Sequence, residues 1–169
     1  FTAFGQTVTY AEVDQLSGAL AAWLQKTGLK KGDRVAVMSP NFIAFPIVFL
    51  AIARIGAIQV NVNPLYTARE LAHQLKDSGS ETIFIFSGVS ATLADAIEQT
   101  DIKNIITVAP GDGTKALLPS PPVDPRLNNT IALADALVQG NALERKPVVL
   151  NGDDLLFLQY TGGTTGLSK

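Results

Sequence analysis

Nine consecutive positions near the end of this chain concentrate the residue types that can hold a polyanion. Thr161-Gly162-Gly163-Thr164-Thr165-Gly166-Leu167-Ser168-Lys169 contains three glycines, four hydroxyl residues and a lysine. Glycine opens backbone conformations closed to other residues and lets the main chain approach a ligand closely. Successive amides in such a loop form a concave anion site. Hydroxyls donate to phosphate oxygens, and lysine adds a compact positive charge. On composition alone, a plain flexible turn competes with this phosphate-binding reading.

Two other nucleotide motifs fail on spacing. A GxxxxGK[ST] loop needs a Gly-Lys pair, and the sequence has none; Lys169 lies three residues after Gly166. Gly111-Asp112-Gly113 lacks the third glycine of a dinucleotide fingerprint and sits in a proline-rich stretch. Nucleophilic Ser-His or Cys-His catalysis is also disfavoured, since the chain has one histidine and no cysteine. The same counts argue against thiolate zinc sites and His-ligated metals. The remaining polar candidates read as structural. His73 falls mid-helix on a solvated face, Arg54 suits the negative end of an apolar helix, and Tyr66 and Arg69 sit at a helix start. The Asp153-Asp154 pair flanks a strand.

The elements that must position the loop follow from periodicity. Thr9-Tyr10-Ala11-Glu12 and Thr67-Ala68-Arg69-Glu70 are capping boxes. The first opens a helix with Val13, Leu16, Leu20 and Leu24 on one face and Gly28 as its stop, with Trp23 in the core. The second opens a helix carrying Leu71 and Leu75 and stopping at Gly79. A third helix occupies Phe42 to Ala53, an apolar run of twelve residues that Ser39-Pro40-Asn41 can start and Gly56 ends. Spanning a bilayer takes about 20 apolar residues, so this run reads as a buried helix. Leu93, Ala94 and Ile97 suggest a fourth helix, and residues 130–138 a fifth. Strands are expected at 34–38, 58–62, 82–86, 104–108 and 155–160, the second of these alternating as a half-buried strand does. Alternating strands and helices, with mostly continuous apolar strands, predict an α/β fold: a mostly parallel sheet flanked by helices. Five of the nine prolines lie between Pro110 and Pro125, which marks an exposed loop or linker.

At 169 residues, 47% hydrophobic and 17% charged, the chain has ordinary globular composition and can bury a sizeable core. A net charge of −2 gives no bulk attraction to nucleic acid or to an anionic membrane. The start at Phe1 has neither an initiator Met nor a basic leader, and Lys169 closes the chain on its most specialised loop. Both are expected of an incomplete domain of a longer product: a βαβ-type region at 1–109, the Pro/Gly-rich loop at 110–129, a helix and strand at 130–160, and a phosphate-binding loop at 161–169.

Tyr160-Thr-Gly-Gly-Thr-Thr-Gly-Leu-Ser-Lys169 resembles the signature of the adenylate-forming superfamily, written Tyr-Thr-Ser-Gly-Thr-Thr-Gly-x-Pro-Lys-Gly. Lys31-Gly32-Asp33-Arg34-Val35-Ala36-Val37 is similar to the family's first strand, and Ala53 to Ala57 with Asn61-Val62-Asn63-Pro64 to its next helix-to-strand segment. The similarity covers essentially the whole chain. Gly162 stands for the usual Ser and Ser168 for the usual Pro; with Asn63-Pro64-Leu65-Tyr66-Thr67 upstream, this form resembles bacterial long-chain fatty-acid–CoA ligases. The resemblance implies the large N-terminal domain of the adenylate-forming fold and two-step chemistry on a fatty acid. ATP activates the carboxylate to an acyl-adenylate, with Mg2+ on its phosphates; coenzyme A then accepts the acyl group. It implies that Thr161, Thr164, Thr165 and Lys169 contact the β- and γ-phosphates, and that Gly162, Gly163 and Gly166 shape the cradle. No catalytic residue and no metal ligand is implied within these residues. A cytoplasmic protein is expected, with peripheral attachment to the inner membrane and a homodimer left open, and no nucleic-acid partner. Aryl- or medium-chain acid ligases, carrier-loading adenylation domains and a non-catalytic nucleotide-binding module are the alternatives.

Overall fold

Both capping boxes form, and they fix where two helices begin. The computed structural model describes residues 1–161. The Thr9 hydroxyl oxygen accepts the N–H of Glu12 while the Glu12 carboxylate accepts the N–H of Thr9 at 2.8 Å, opening α1 (Tyr10–Lys26). Thr67 and Glu70 repeat the arrangement at α3 (Ala68–Ser78). Each box satisfies donors that a bare helix start would leave unpaired. Gly79 ends α3 in the left-handed conformation, φ 63°; a Cβ there would stand 2.9 Å from the Arg34 guanidinium. That guanidinium donates to the carbonyls of Gly32, Ser78 and Gly79 and so ties the end of α3 to the start of a strand.

The apolar run forms α2 (Ala44–Arg54). It starts later than Ser39-Pro40-Asn41 suggests, with Ile43 as an N-cap that makes no side-chain bond. Pro46 falls in its first turn, where a missing N–H costs nothing. Arg54 does more than face the helix dipole: its guanidinium pairs with the Asp14 carboxylate of α1.

Among the described residues, six strands form one parallel sheet. In chain order they are β3 (Arg34–Met38), β4 (Ile58–Asn61), β5 (Thr82–Phe86), β6 (Asn104–Val108), β7 (Thr130–Ala132) and β8 (Phe157–Gln159). They follow a two-residue hairpin, β1 (Thr2–Ala3) and β2 (Gln6–Thr7). The spatial order is β7-β6-β5-β3-β4-β8, with every pairing parallel. The hairpin turns on Phe4 and Gly5, both with positive φ, as a two-residue hairpin loop requires.

Two apolar layers cover the sheet. On one face α1, α2 and α5 (Leu133–Gly140) enclose Leu20, Leu24, Val35, Val37, Ile47 and Phe84. On the other, α3 and α4 (Ser90–Ala96) enclose Ala36, Met38, Leu71, Ile83 and Leu93. The strand order reverses beside β3, with α2 and α3 on opposite faces, so the sheet is doubly wound.

Three expectations change. Residues 130–138 were expected to be helical throughout, but Thr130–Ala132 pair with β6 as edge strand β7 before α5 begins. The last strand is shorter than 155–160 and covers Phe157–Gln159. The proline-rich segment is a loop but no free linker: Leu127 is buried, Ser120 bonds Ser87, and Arg126 pairs with Asp95 and Asp124.

Candidate functional site

The sequence puts the expected phosphate loop after an apolar strand, and the structure puts that strand at the sheet edge beside β4. Phe157, Leu158 and Gln159 pair in parallel with Gln59, Val60 and Asn61. Tyr160 and Thr161 therefore leave the carboxyl end of a parallel sheet, where ligands of open α/β folds bind. Thr161 is exposed. The expected contacts of Gly162, Gly163, Thr164, Thr165, Gly166 and Lys169 lie outside the described residues. The neighbouring crevice, where the strand order reverses between β3 and β5, is filled by the chain itself. Phe42 packs edge-on against Phe86 with ring centres 5.1 Å apart, and Ser87 bonds Ser120 at 2.8 Å.

The edge at β4 and β8 carries a chain of amides. Gln59 Nε2 donates to Asn61 Oδ1 at 2.6 Å, and Asn61 Nδ2 donates to Gln159 Oε1 at 2.8 Å. From the other face, Gln74 of α3 donates to the Asn61 carbonyl at 2.7 Å. Gln59 and Gln74 are each 1% exposed, and among the described residues their Oε1 atoms have no partner. Alternation in β4 had suggested a half-buried strand with polar residues outward. The strand is instead covered on both faces, and Gln59 is interior. An unpaired buried amide oxygen costs about 1–3 kcal/mol. Valine or isoleucine would fill such a strand position without that cost.

Tyr160 leaves the sheet on the opposite face. Its ring packs on the α3 layer, and its hydroxyl donates to Asp77 Oδ2 at 2.5 Å. Burial first, and then the Asp77 bond, push the phenol up to about 12, so it stays a neutral donor.

The Asp153-Asp154 pair proves structural at its second member. Asp154 accepts from Lys31 Nζ at 2.6 Å and from the N–H of Asn151 at 2.7 Å. The Lys31 bond, with the Asn151 amide next, holds its carboxyl below the usual range. Lys31 also donates to the Val149 carbonyl at 3.0 Å, so this pair fastens the approach to β8. His73 is half-buried within α3, Tyr66 packs partly against the α3 layer, and Arg69 is exposed. Among the described residues no group of three or more His, Asp or Glu side chains gathers. No helix among them is long and apolar enough to cross a membrane.

Sequence reading missed Gln59, Asn61, Gln74 and Asp77. The one available signal was a pair of amides in an otherwise apolar strand.

Comparison with known proteins places this edge in context. The family model described as AMP-binding enzyme matches residues 1–169. A long-chain-fatty-acid–CoA ligase of Salmonella typhimurium is 42% identical over 186 aligned residues, covering 100% of this chain and 32% of that protein. One from Mycobacterium tuberculosis is 34% identical, covering 96% of this chain and 28% of its own length. The chain thus spans about a third of the length of these curated relatives. Among solved structures, a long-chain-fatty-acid–CoA ligase from Archaeoglobus fulgidus superposes with TM-score 0.73 at 24% identity, over 97% of this chain and 31% of that one. An anthranilate CoA ligase in complex with anthranoyl-AMP superposes with TM-score 0.78 at 18% identity, over 96% and 29%. At these identities the superpositions establish a shared fold.

Proposed function

The chain belongs to the AMP-binding enzyme family, and on that premise we propose that the protein activates a long-chain fatty acid with ATP and passes the acyl group to coenzyme A. One observation carries the reading: the Gly/Thr/Lys segment follows directly from β8, at the carboxyl edge of a parallel sheet. The 42% identity to a long-chain ligase across the whole chain supports the fatty acid as substrate.

In the first step a carboxylate oxygen of the fatty acid attacks the α-phosphorus of ATP. The bond from that phosphorus to its bridging oxygen breaks, and pyrophosphate leaves with the electron pair. In the second step the CoA thiol sulfur attacks the activated carbonyl. The thiol proton is lost to solvent or base, and AMP leaves. The loop serves the first step. Thr161, Thr164, Thr165 and Lys169 hold the β- and γ-phosphates, and Gly162, Gly163 and Gly166 keep the main chain close to them. The carboxylate is already nucleophilic, so positioning and charge stabilisation supply the catalysis. Mg2+ bound to ATP would neutralise charge on its phosphates. ATP and CoA as co-substrates favour the cytoplasm. Attachment to the inner membrane and a homodimer are tested on the same preparation, by vesicle flotation and light scattering.

A second reading keeps the family and changes the acid. The shared fold alone does not separate a long-chain from an aryl acid. Carboxylate-dependent ATP–pyrophosphate exchange by the full-length protein separates the two, run with short, medium and long fatty acids and one aryl acid. Exchange strongest with long chains is the expected result. Exchange strongest with another acid reassigns the substrate, and no exchange with any acid from folded protein leaves a non-catalytic nucleotide-binding module. Lys169→Ala should lower exchange on the order of a hundredfold, as removal of a transition-state donor does.

A further inference from the structure

β8 ends between two tethers on opposite faces of the sheet. On the α2 face, Gln159 accepts from Asn61, which is held in turn by Gln59 and Gln74. On the α3 face, Tyr160 donates to Asp77. The two tethered residues are consecutive, and Thr161 follows them immediately. A strand end fixed on one face can still pivot about that bond; fixed on both, it cannot.

Local stability alone does not account for these residue choices. Asp77 stands in the last turn of α3, where a carboxylate opposes the negative end of the helix dipole. Gln59 and Gln74 bury amide oxygens that find no partner among the described residues. Both choices cost stability; Gln59 lies opposite Phe157 at the start of β8, while Asn61, which Gln74 holds, and Asp77 bond Gln159 and Tyr160 at its end. Local rules are broken in this way where a site must be positioned.

We propose that Tyr160 and Asp77, with the Asn61–Gln159 amide pair opposite, are positioning residues that fix the point from which the phosphate-binding segment departs, and so set the alignment of the ATP phosphates. The inference rests on the ATP chemistry proposed above. None of the four residues needs to touch the nucleotide. Their effect reaches it through the two peptide units on either side of Tyr160. Misplacing a reacting group by about 1 Å can lower a rate a hundredfold. A tether of this kind therefore governs the ATP step and leaves recognition of the acid alone.

The test compares Tyr160→Phe, Asp77→Ala, the double variant and Asp77→Asn with the wild type, all in the full-length protein. The readouts are ATP–pyrophosphate exchange with a long-chain fatty acid, KM for Mg-ATP and for the acid separately, and melting temperature. Tyr160→Phe and Asp77→Ala should each lower kcat/KM for Mg-ATP about tenfold, the factor one hydrogen bond to a charged group carries. KM for the acid should not change. The double variant should be no worse than either single one, since both remove the same bond. Asp77→Asn keeps an acceptor oxygen and should retain most of the activity. A wild type that exchanges while both single variants match it overturns the inference and leaves the function standing. Losses in which ATP and acid parameters fall together with the melting temperature overturn it too, as a mere structural prop. A wild type that exchanges with no acid overturns the function and the inference together. Should one single variant fail to fold, the other decides.

Discussion

Arg126 shows how one side chain can turn a proline-rich segment into part of the fold. Its guanidinium donates to both carboxylate oxygens of Asp124, at 2.9 and 2.7 Å, and to Asp95 of α4 at 2.6 Å. These side-chain bonds, with the Arg126 amide next, lower the Asp124 carboxyl from 3.8 to about 2. A pKa lowered by folding stabilises the native state above the unfolded value; that contribution is lost as pH falls from 3.8 toward 2. Carboxyl NMR of labelled aspartate should therefore find Asp124 still ionised where an ordinary aspartate is half protonated. In Arg126→Gln, which keeps the backbone amide, it should titrate back toward 3.8, and an unchanged titration would show that the guanidinium is not the cause. At this scale the sequence was legible where near partners form a recognisable motif, as in the capping box of Thr9 with Glu12, and Arg126 with Asp124 has none. It was silent on Tyr160 with Asp77 and Asn61 with Gln159, because those partners meet only once the sheet has formed.

Helices and strands were largely readable, and the misreadings share a cause. A period of 3.6 bounded by a capping box and a glycine names a helix whatever packs on it, as in α1 and α3. Short segments lack enough repeats to show a period. Thr130–Ala132 belong to the sheet because β6 offers a free edge, and Phe4-Gly5 turns the hairpin without the usual Asn-Gly signal. Packing between elements was not readable at all. Gly140 closes α5 against α1 so tightly that a Cβ would lie 2.2 Å from the Ala19 carbonyl oxygen. That oxygen belongs to helix backbone and has little room to move. Gly140→Ala gains helix propensity of up to about 1 kcal/mol. The overpacking should outweigh it, for a net loss of about 1–2 kcal/mol. The check is chemical denaturation monitored by far-UV circular dichroism. A stabilised variant would mean that α5 can shift away from α1 at little cost.

As a whole, the described molecule leaves a run of apolar side chains exposed along the edge that leads to the loop. Leu155 is 62% and Phe157 46% exposed, and Leu150 and Val149 are exposed nearby. Among the described residues β8 has a partner strand on one side only. A parallel edge strand with apolar side chains is a template for further pairing. Parallel sheets, moreover, are ordinarily covered on both faces. The curated relatives are about three times as long as this chain, so the residues that bind adenine, coenzyme A and acid in such a protein have ample sequence outside it. The 169 residues expressed alone should consequently bind partners without discrimination and catalyse nothing. Light scattering should show association that grows with concentration, and a charged substitution on the exposed edge, Phe157→Lys, should reduce it. Acyl-CoA formation should not exceed a no-enzyme control. A monodisperse monomer would mean that the edge protects itself. Turnover above the control would mean that the loop and its two tethers suffice for chemistry that the proposed mechanism assigns to a much longer chain.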